Sequence, residues 1–90
     1  MINWELIRAE FPFFANNPDV IYFDNASTTQ KPESVIAEIE KYYRRYCYNV
    51  GRGNYQPAAE LKIKVDRVRE DVAKFINASN GDVHFAGGAS

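Results

Sequence analysis

From Pro57 onward the chain carries a row of apolar residues, Leu61, Val65, Val68, Val72, Phe75 and Ile76, at the three- and four-residue intervals of an α-helix. Lys62, Asp66, Arg69, Glu70 and Lys74 fall mostly on its other sides. A row of this length fits only a helix, and its apolar side needs a neighbour, so the chain is limited to folds in which residues 57–76 pack against something else. The spacing places Leu61, Val65, Val68, Val72 and Phe75 on the packed face. It also predicts that Val68→Asp unfolds the chain, because a buried, unpaired carboxylate is costly.

The flanking segments add shorter elements. Asn3 is placed to cap a helix through Ala9, its side-chain oxygen accepting from the backbone of Glu5 or Leu6, and Pro12 stops that helix. Pro32 suits a first helical position and opens a helix expected to reach about Tyr48, with Val35, Ile36, Ile39, Tyr42, Tyr43 and Tyr46 at helical spacing. Residues 20–23 and 83–85 are short β-branched and aromatic runs that read as strands, the first without alternation and so expected to be buried on both faces. The order helix, strand, helix, helix, strand has too few strands for a sheet of its own. It therefore predicts an α/β chain, mainly helical, whose two short strands belong to a larger sheet.

Charge and cysteine content narrow the function. The formal net charge is -1 with signs mixed along the sequence, which leaves no electrostatic footprint for nucleic acid or an anionic membrane. Cys47 is the single cysteine and His84 the single histidine, so neither an internal disulfide nor a Cys/His metal site is expected. Cys47 sits at helical spacing beside Tyr43 and Tyr46 and reads as a small, buried or half-buried apolar residue. No stretch approaches the roughly 20 apolar residues of a membrane span, and residues 1–10 lack a basic start and an apolar run, so the cytosol is the expected compartment.

Two loops and the final residues stand out as small, polar or glycine-rich. Asp24-Asn25-Ala26-Ser27-Thr28-Thr29 is small and polar, able to hydrogen-bond its own backbone and leave room for a ligand. The usual task of such residues is to turn the chain and cap a helix. Asn49-Val50-Gly51-Arg52-Gly53-Asn54 sets an arginine between glycines, and a guanidinium is a rigid fork of donors matched to a carboxylate. By composition alone Arg52 reads as a solvated arginine in a turn. Gly87-Gly88-Ala89-Ser90 reads as the opening of a glycine-rich turn.

Taken together, Tyr22-Phe23-Asp24-Asn25-Ala26-Ser27-Thr28-Thr29-Gln30-Lys31-Pro32, Asn49-Val50-Gly51-Arg52-Gly53, residues 68–78 and Val83-His84-Phe85-Ala86-Gly87-Gly88-Ala89-Ser90 resemble, in this order, the start of cysteine desulfurases and selenocysteine lyases. These are class V aminotransferase-type, fold-type-I pyridoxal-phosphate enzymes. The resemblance covers nearly the whole chain and implies that residues 1–90 are a single amino-terminal segment, beginning the small domain and leading into the cofactor domain at about 83–90. It implies that Asn25 and Ala26 border the substrate, that Arg52 binds the carboxylate of the substrate amino acid, in some relatives across a dimer, and that Ala89 and Ser90 hold the phosphate of pyridoxal 5'-phosphate.

The implied activity removes sulfur from L-cysteine to give alanine and an enzyme persulfide, in a homodimer that passes the sulfur to an acceptor protein in iron-sulfur cluster assembly. The family's lysine, aspartate, stacking histidine and nucleophilic cysteine belong to segments beyond Ser90. No catalytic residue is therefore assigned here, and the 90 residues alone are expected to be inactive. Gly51 stands where the best-known members carry His. That departure leaves open a selenocysteine lyase, an epimerase or an aminotransferase-like relative, and a non-catalytic interaction module derived from such an enzyme is a further alternative.

Overall fold

Asn3 accepts a hydrogen bond from the Leu6 N–H at 3.2 Å and so caps the first helix, α1 (Trp4–Ala9), in the manner its sequence position predicts. This computed structural model describes residues 1–88. Three more helices follow: α2 (Pro12–Asn16), α3 (Glu33–Arg45) and α4 (Gln56–Phe75), with a 3-10 turn over Asn80–Asp82. The chain divides into two compact units, Met1–Arg45 and Tyr46–Ser90. No helix among the described residues is long and apolar enough to cross a membrane.

In the first unit α1 meets α2 through Arg8, and the rings of α2 pack on one another and on Tyr22. Pro12 ends the run of α1 and then starts α2 itself, since its missing N–H costs nothing in the first turn. Phe13 meets Phe14 edge-on with ring centroids 5.3 Å apart and meets Tyr22 at 5.5 Å, while the Arg8 guanidinium lies 3.9 Å from the centroid of Phe14. The Glu33 N–H donates to the Glu10 carbonyl at 2.8 Å and ties the start of α3 to the end of α1. Pro32 stands just before α3, its carbonyl accepting from Val35 and Ile36, and the helix stops at Arg45, short of Tyr48. Val35, Ile36, Ile39 and Tyr43 on α3 are all exposed.

In the second unit α4 spans the expected residues within one position at each end. Its carboxyl end is a Schellman cap. The Ala78 N–H reaches the Ala73 carbonyl at 2.8 Å, the Asn77 N–H reaches that of Lys74 at 3.2 Å, and Asn77 takes the left-handed conformation with φ 57°. The chain then passes through the 3-10 turn and returns along the helix, with Val83 buried and the Arg69 guanidinium 5.3 Å from the Phe85 ring centroid. On the flank of α4, Asp66 accepts from Lys62 at 2.9 Å and from Arg69 at 3.0 Å. The Lys62 hydrogen bond, followed by the attraction of both cations, holds the Asp66 carboxyl below the ordinary carboxylate range.

The expected strands are absent. Neither 20–23 nor 83–85 forms a strand, and no strand occurs among the described residues. A strand is defined by its ladder, and these runs pack instead on helices of their own units, Tyr22 on Phe13 and Phe85 on Arg69. Residues 20–23 are not buried on both faces either, since Ile21 and Phe23 stand exposed, Phe23 at 93%.

The packed face of α4 also differs from the expected one. Leu61 is buried and Val65 and Val72 are half-buried, but Val68 is 52% exposed and Phe75 90% exposed. Val68→Asp therefore loses the burial on which its predicted effect rested. The covered arc is rotated toward Ala58 and Ala73, at 1% and 3% exposure, because the chain folds back there: the turn at Gly53 approaches Ala58, and the Schellman cap returns to Ala73.

Candidate functional site

The loop after residues 20–23 is tied by its own polar groups. The Asp24 carbonyl accepts from the N–H groups of Ser27 and Thr28, both at 3.1 Å, which turns the chain at residues 25–27. The Tyr22 hydroxyl lies between the carbonyls of Asp24, at 3.2 Å, and Thr28, closing the turn from below. The Thr29 hydroxyl donates to the Asn25 carbonyl at 3.2 Å, and the Lys31 ammonium donates to the Thr28 hydroxyl at 3.1 Å. Asn25 and Ala26 stand exposed on this turn, and the Asn25 side-chain amide makes no hydrogen bond among the described residues. Thr28 and Thr29 close the turn instead of capping α3.

The second loop is held by fit as much as by hydrogen bonds. Asn49 accepts twice: its side-chain oxygen from the Arg52 N–H at 3.0 Å, and its carbonyl from the Gly53 N–H at 3.2 Å. Its own N–H donates to the Tyr55 hydroxyl at 3.3 Å, and the Tyr55 ring meets Tyr48 edge-on at 6.0 Å. A Cβ at Gly53 would lie 2.6 Å from both the Asn49 carbonyl oxygen and the Ala58 Cβ, so only glycine fits there. At Gly51 a Cβ would meet nothing within 4 Å. Neither glycine has positive φ, so the need for glycine at position 53 is one of space, not of backbone conformation. The Arg52 side chain is exposed and its guanidinium makes no hydrogen bond or ion pair among the described residues.

Asn25 and Ala26 thus belong to the first unit and Arg52 to the second, each presented to solvent on a turn fixed by other residues. Ala89 and Ser90 lie outside the described residues. Gly87 and Gly88, which lead into them, have open space where a Cβ would stand, so the described part builds no closed cradle for a phosphate. Cys47 is exposed, not buried or half-buried, because α3 ends before reaching it. His84 is exposed on the segment after the 3-10 turn. The contribution of Tyr55 is not visible in its spacing among the six tyrosines, whereas Asn49 carried a signal: an Asn opening a glycine-rich turn commonly accepts from the backbone ahead of it.

Comparison with known proteins covers most of this sequence. The aminotransferase class-V profile matches residues 21–90. PbSufS of Plasmodium berghei is 41% identical over 85 residues, which is 93% of this chain and 16% of the relative. Cysteine desulfurase SufS of Plasmodium falciparum is 37% identical over 76 residues, 84% of this chain and 14% of the relative. A probable cysteine desulfurase of Vibrio cholerae is 41% identical over 81 residues, 87% of this chain and 20% of the relative. The chain therefore spans a fifth or less of the length of these proteins. No solved structure gives a significant match.

Proposed function

The chain belongs to the aminotransferase class-V family, and from that premise we propose that it forms the amino-terminal part of a pyridoxal-phosphate-dependent cysteine desulfurase acting on L-cysteine. The family supports an α/β parent fold, to which the described residues contribute helices and turns. What supports the proposal is that both exposed turns, at Asn25-Ala26 and at Arg52, fall within residues 21–90, which the family profile matches, in a chain similar to proteins named as cysteine desulfurases. Pyridoxal phosphate, when bound, supplies the electron sink for the chemistry at the amino acid's carbon. The part proposed for this chain is to receive the amino acid.

Arg52 is the residue we assign to the substrate carboxylate. Among the described residues its guanidinium has no hydrogen-bond or ion-pair partner to give up, and a planar fork of donors fits a carboxylate in two parallel hydrogen bonds. For Asn25 and Ala26 the proposed role is to border a substrate amino acid, with a small side chain and an exposed amide to accommodate it. Ala89 and Ser90 are proposed for the phosphate, by the same logic of amides and a hydroxyl at a helix start. A homodimer, a sulfur-acceptor protein and a place in iron-sulfur cluster assembly complete the proposal.

The test is kinetic, in the enzyme that contains this segment. Arg52→Ala should raise KM for L-cysteine about tenfold to a hundredfold, the worth of a charge-assisted pair, while the cofactor absorbance stays as in the parent. Arg52→Lys should restore only part of the loss, since an ammonium lacks the fork. Unaltered kinetics for Arg52→Ala would leave Arg52 a surface residue and remove the assignment.

A further inference from the structure

We propose that Asn49 and Tyr55 are positioning residues for Arg52, clamping the turn from which it reaches the amino-acid carboxylate. The inference rests on the assignment of Arg52 made above and extends it to residues that touch no substrate. A flexible arginine in a glycine-flanked turn loses conformational entropy when it binds, and that loss offsets much of what its hydrogen bonds contribute. A turn already fixed before the ligand arrives loses less.

The geometry fixes this one from both ends. The Asn49 side-chain oxygen holds the Arg52 N–H at 3.0 Å, so the backbone of the arginine itself is the group restrained. The Asn49 carbonyl holds the next N–H, that of Gly53, at 3.2 Å. Asn49 is restrained in turn, because its own N–H donates to the Tyr55 hydroxyl at 3.3 Å and Tyr55 stands at the amino-terminal cap position of α4. The link therefore runs from a twenty-residue helix through Tyr55 and Asn49 to Arg52, while among the described residues the guanidinium has no hydrogen-bond or ion-pair partner.

The clamp is tested by its chemistry first and its effect second. In the 90-residue chain, Asn49→Ala should speed amide hydrogen exchange at Arg52 and Gly53 while exchange at Leu61, inside α4, stays as in the parent. Asn49→Asp, which keeps an acceptor oxygen in place, should retain the protection at Arg52. Tyr55→Phe should speed exchange at Asn49 while leaving the ring contact with Tyr48.

In the enzyme containing the segment, Asn49→Ala and Tyr55→Phe should each raise KM for L-cysteine about threefold to tenfold, the worth of one hydrogen bond, with kcat and cofactor absorbance little altered. Asn49→Asp should recover most of that KM. Parent-like exchange at Arg52 in Asn49→Ala overturns the clamp. So does an unaltered KM in both variants when Arg52→Ala raises it, and that outcome leaves the assignment of Arg52 standing. If Arg52→Ala itself is without effect, the assignment fails and the clamp's purpose fails with it.

Discussion

The two exposed turns look alike in the sequence, each a run of small and polar residues, yet they are held by different physics. The turn at residues 24–29 is closed by hydrogen bonds from side chains that water could replace: the Tyr22 and Thr29 hydroxyls and the Lys31 ammonium. The turn at residues 49–53 is closed by an amide oxygen and by the absence of an atom, the missing Cβ of Gly53, which lets its backbone lie against Ala58 and Asn49. Exchanging protein for solvent hydrogen bonds is nearly balanced, whereas two atoms cannot share one place. The first turn should therefore yield gradually to substitution and the second abruptly.

The most severe way to break this contrast is Gly53→Ala. The added carbon has to displace the Asn49 carbonyl or Ala58, at a cost of about 1–3 kcal/mol, and thermal unfolding of the chain should register it together with loss of amide protection at Arg52. Gly51→Ala, where nothing lies within 4 Å, should stay within about 0.5 kcal/mol of the parent. Equal effects at the two glycines would show that fit does not distinguish the turns.

A smaller loss is expected from Tyr22→Phe. It keeps the ring against Phe13 and removes only the hydroxyl, for about 1 kcal/mol, measured as the shift in denaturant midpoint. A loss as large as that of Gly53→Ala would mean that the first turn is as brittle as the second.

The smallest expected effect is electrostatic and confined to the unit of the second turn. The folded-state pKa of Asp66 is depressed, so its pairing with Lys62 and Arg69 contributes above the carboxyl's unfolded value and is lost as pH falls through the lower folded value. Asp66 is solvent-accessible, and screening keeps the contribution slight. Asp66→Asn should therefore flatten the stability profile only at the acid end, measured by thermal unfolding from neutral pH downward.

Where a side chain writes its preference into its own neighbourhood, the sequence sufficed to read the fold. Asn3 capped α1, Pro12 separated two helices, and the apolar spacing placed α4 almost to the residue. The stop at Asn77 is fainter in the sequence, because the left-handed cap position it takes is more often glycine. What could not be read depended on a partner. Residues 20–23 have strand chemistry and no ladder to join, and Val68 and Phe75 share a stripe with Leu61 while the returning chain covers only the side toward Ala58 and Ala73.

The candidate site divides in the same way. Arg52 was visible as an arginine set between glycines. The different needs of Gly51 and Gly53, and the place of Tyr55, arise from atoms brought close only by the turn itself.

The close fit at Gly53 also has a genetic meaning. Every missense change of a glycine codon adds a β carbon, so the codon for position 53 has no conservative neighbour: alanine and serine meet the same two atoms as arginine or valine would. Two codons earlier, at Gly51, the same nucleotide changes place their carbon in open space. Drift through this turn is therefore free at one glycine and closed at the other, and a lineage that altered the residue before Arg52 could do so without disturbing the one behind it.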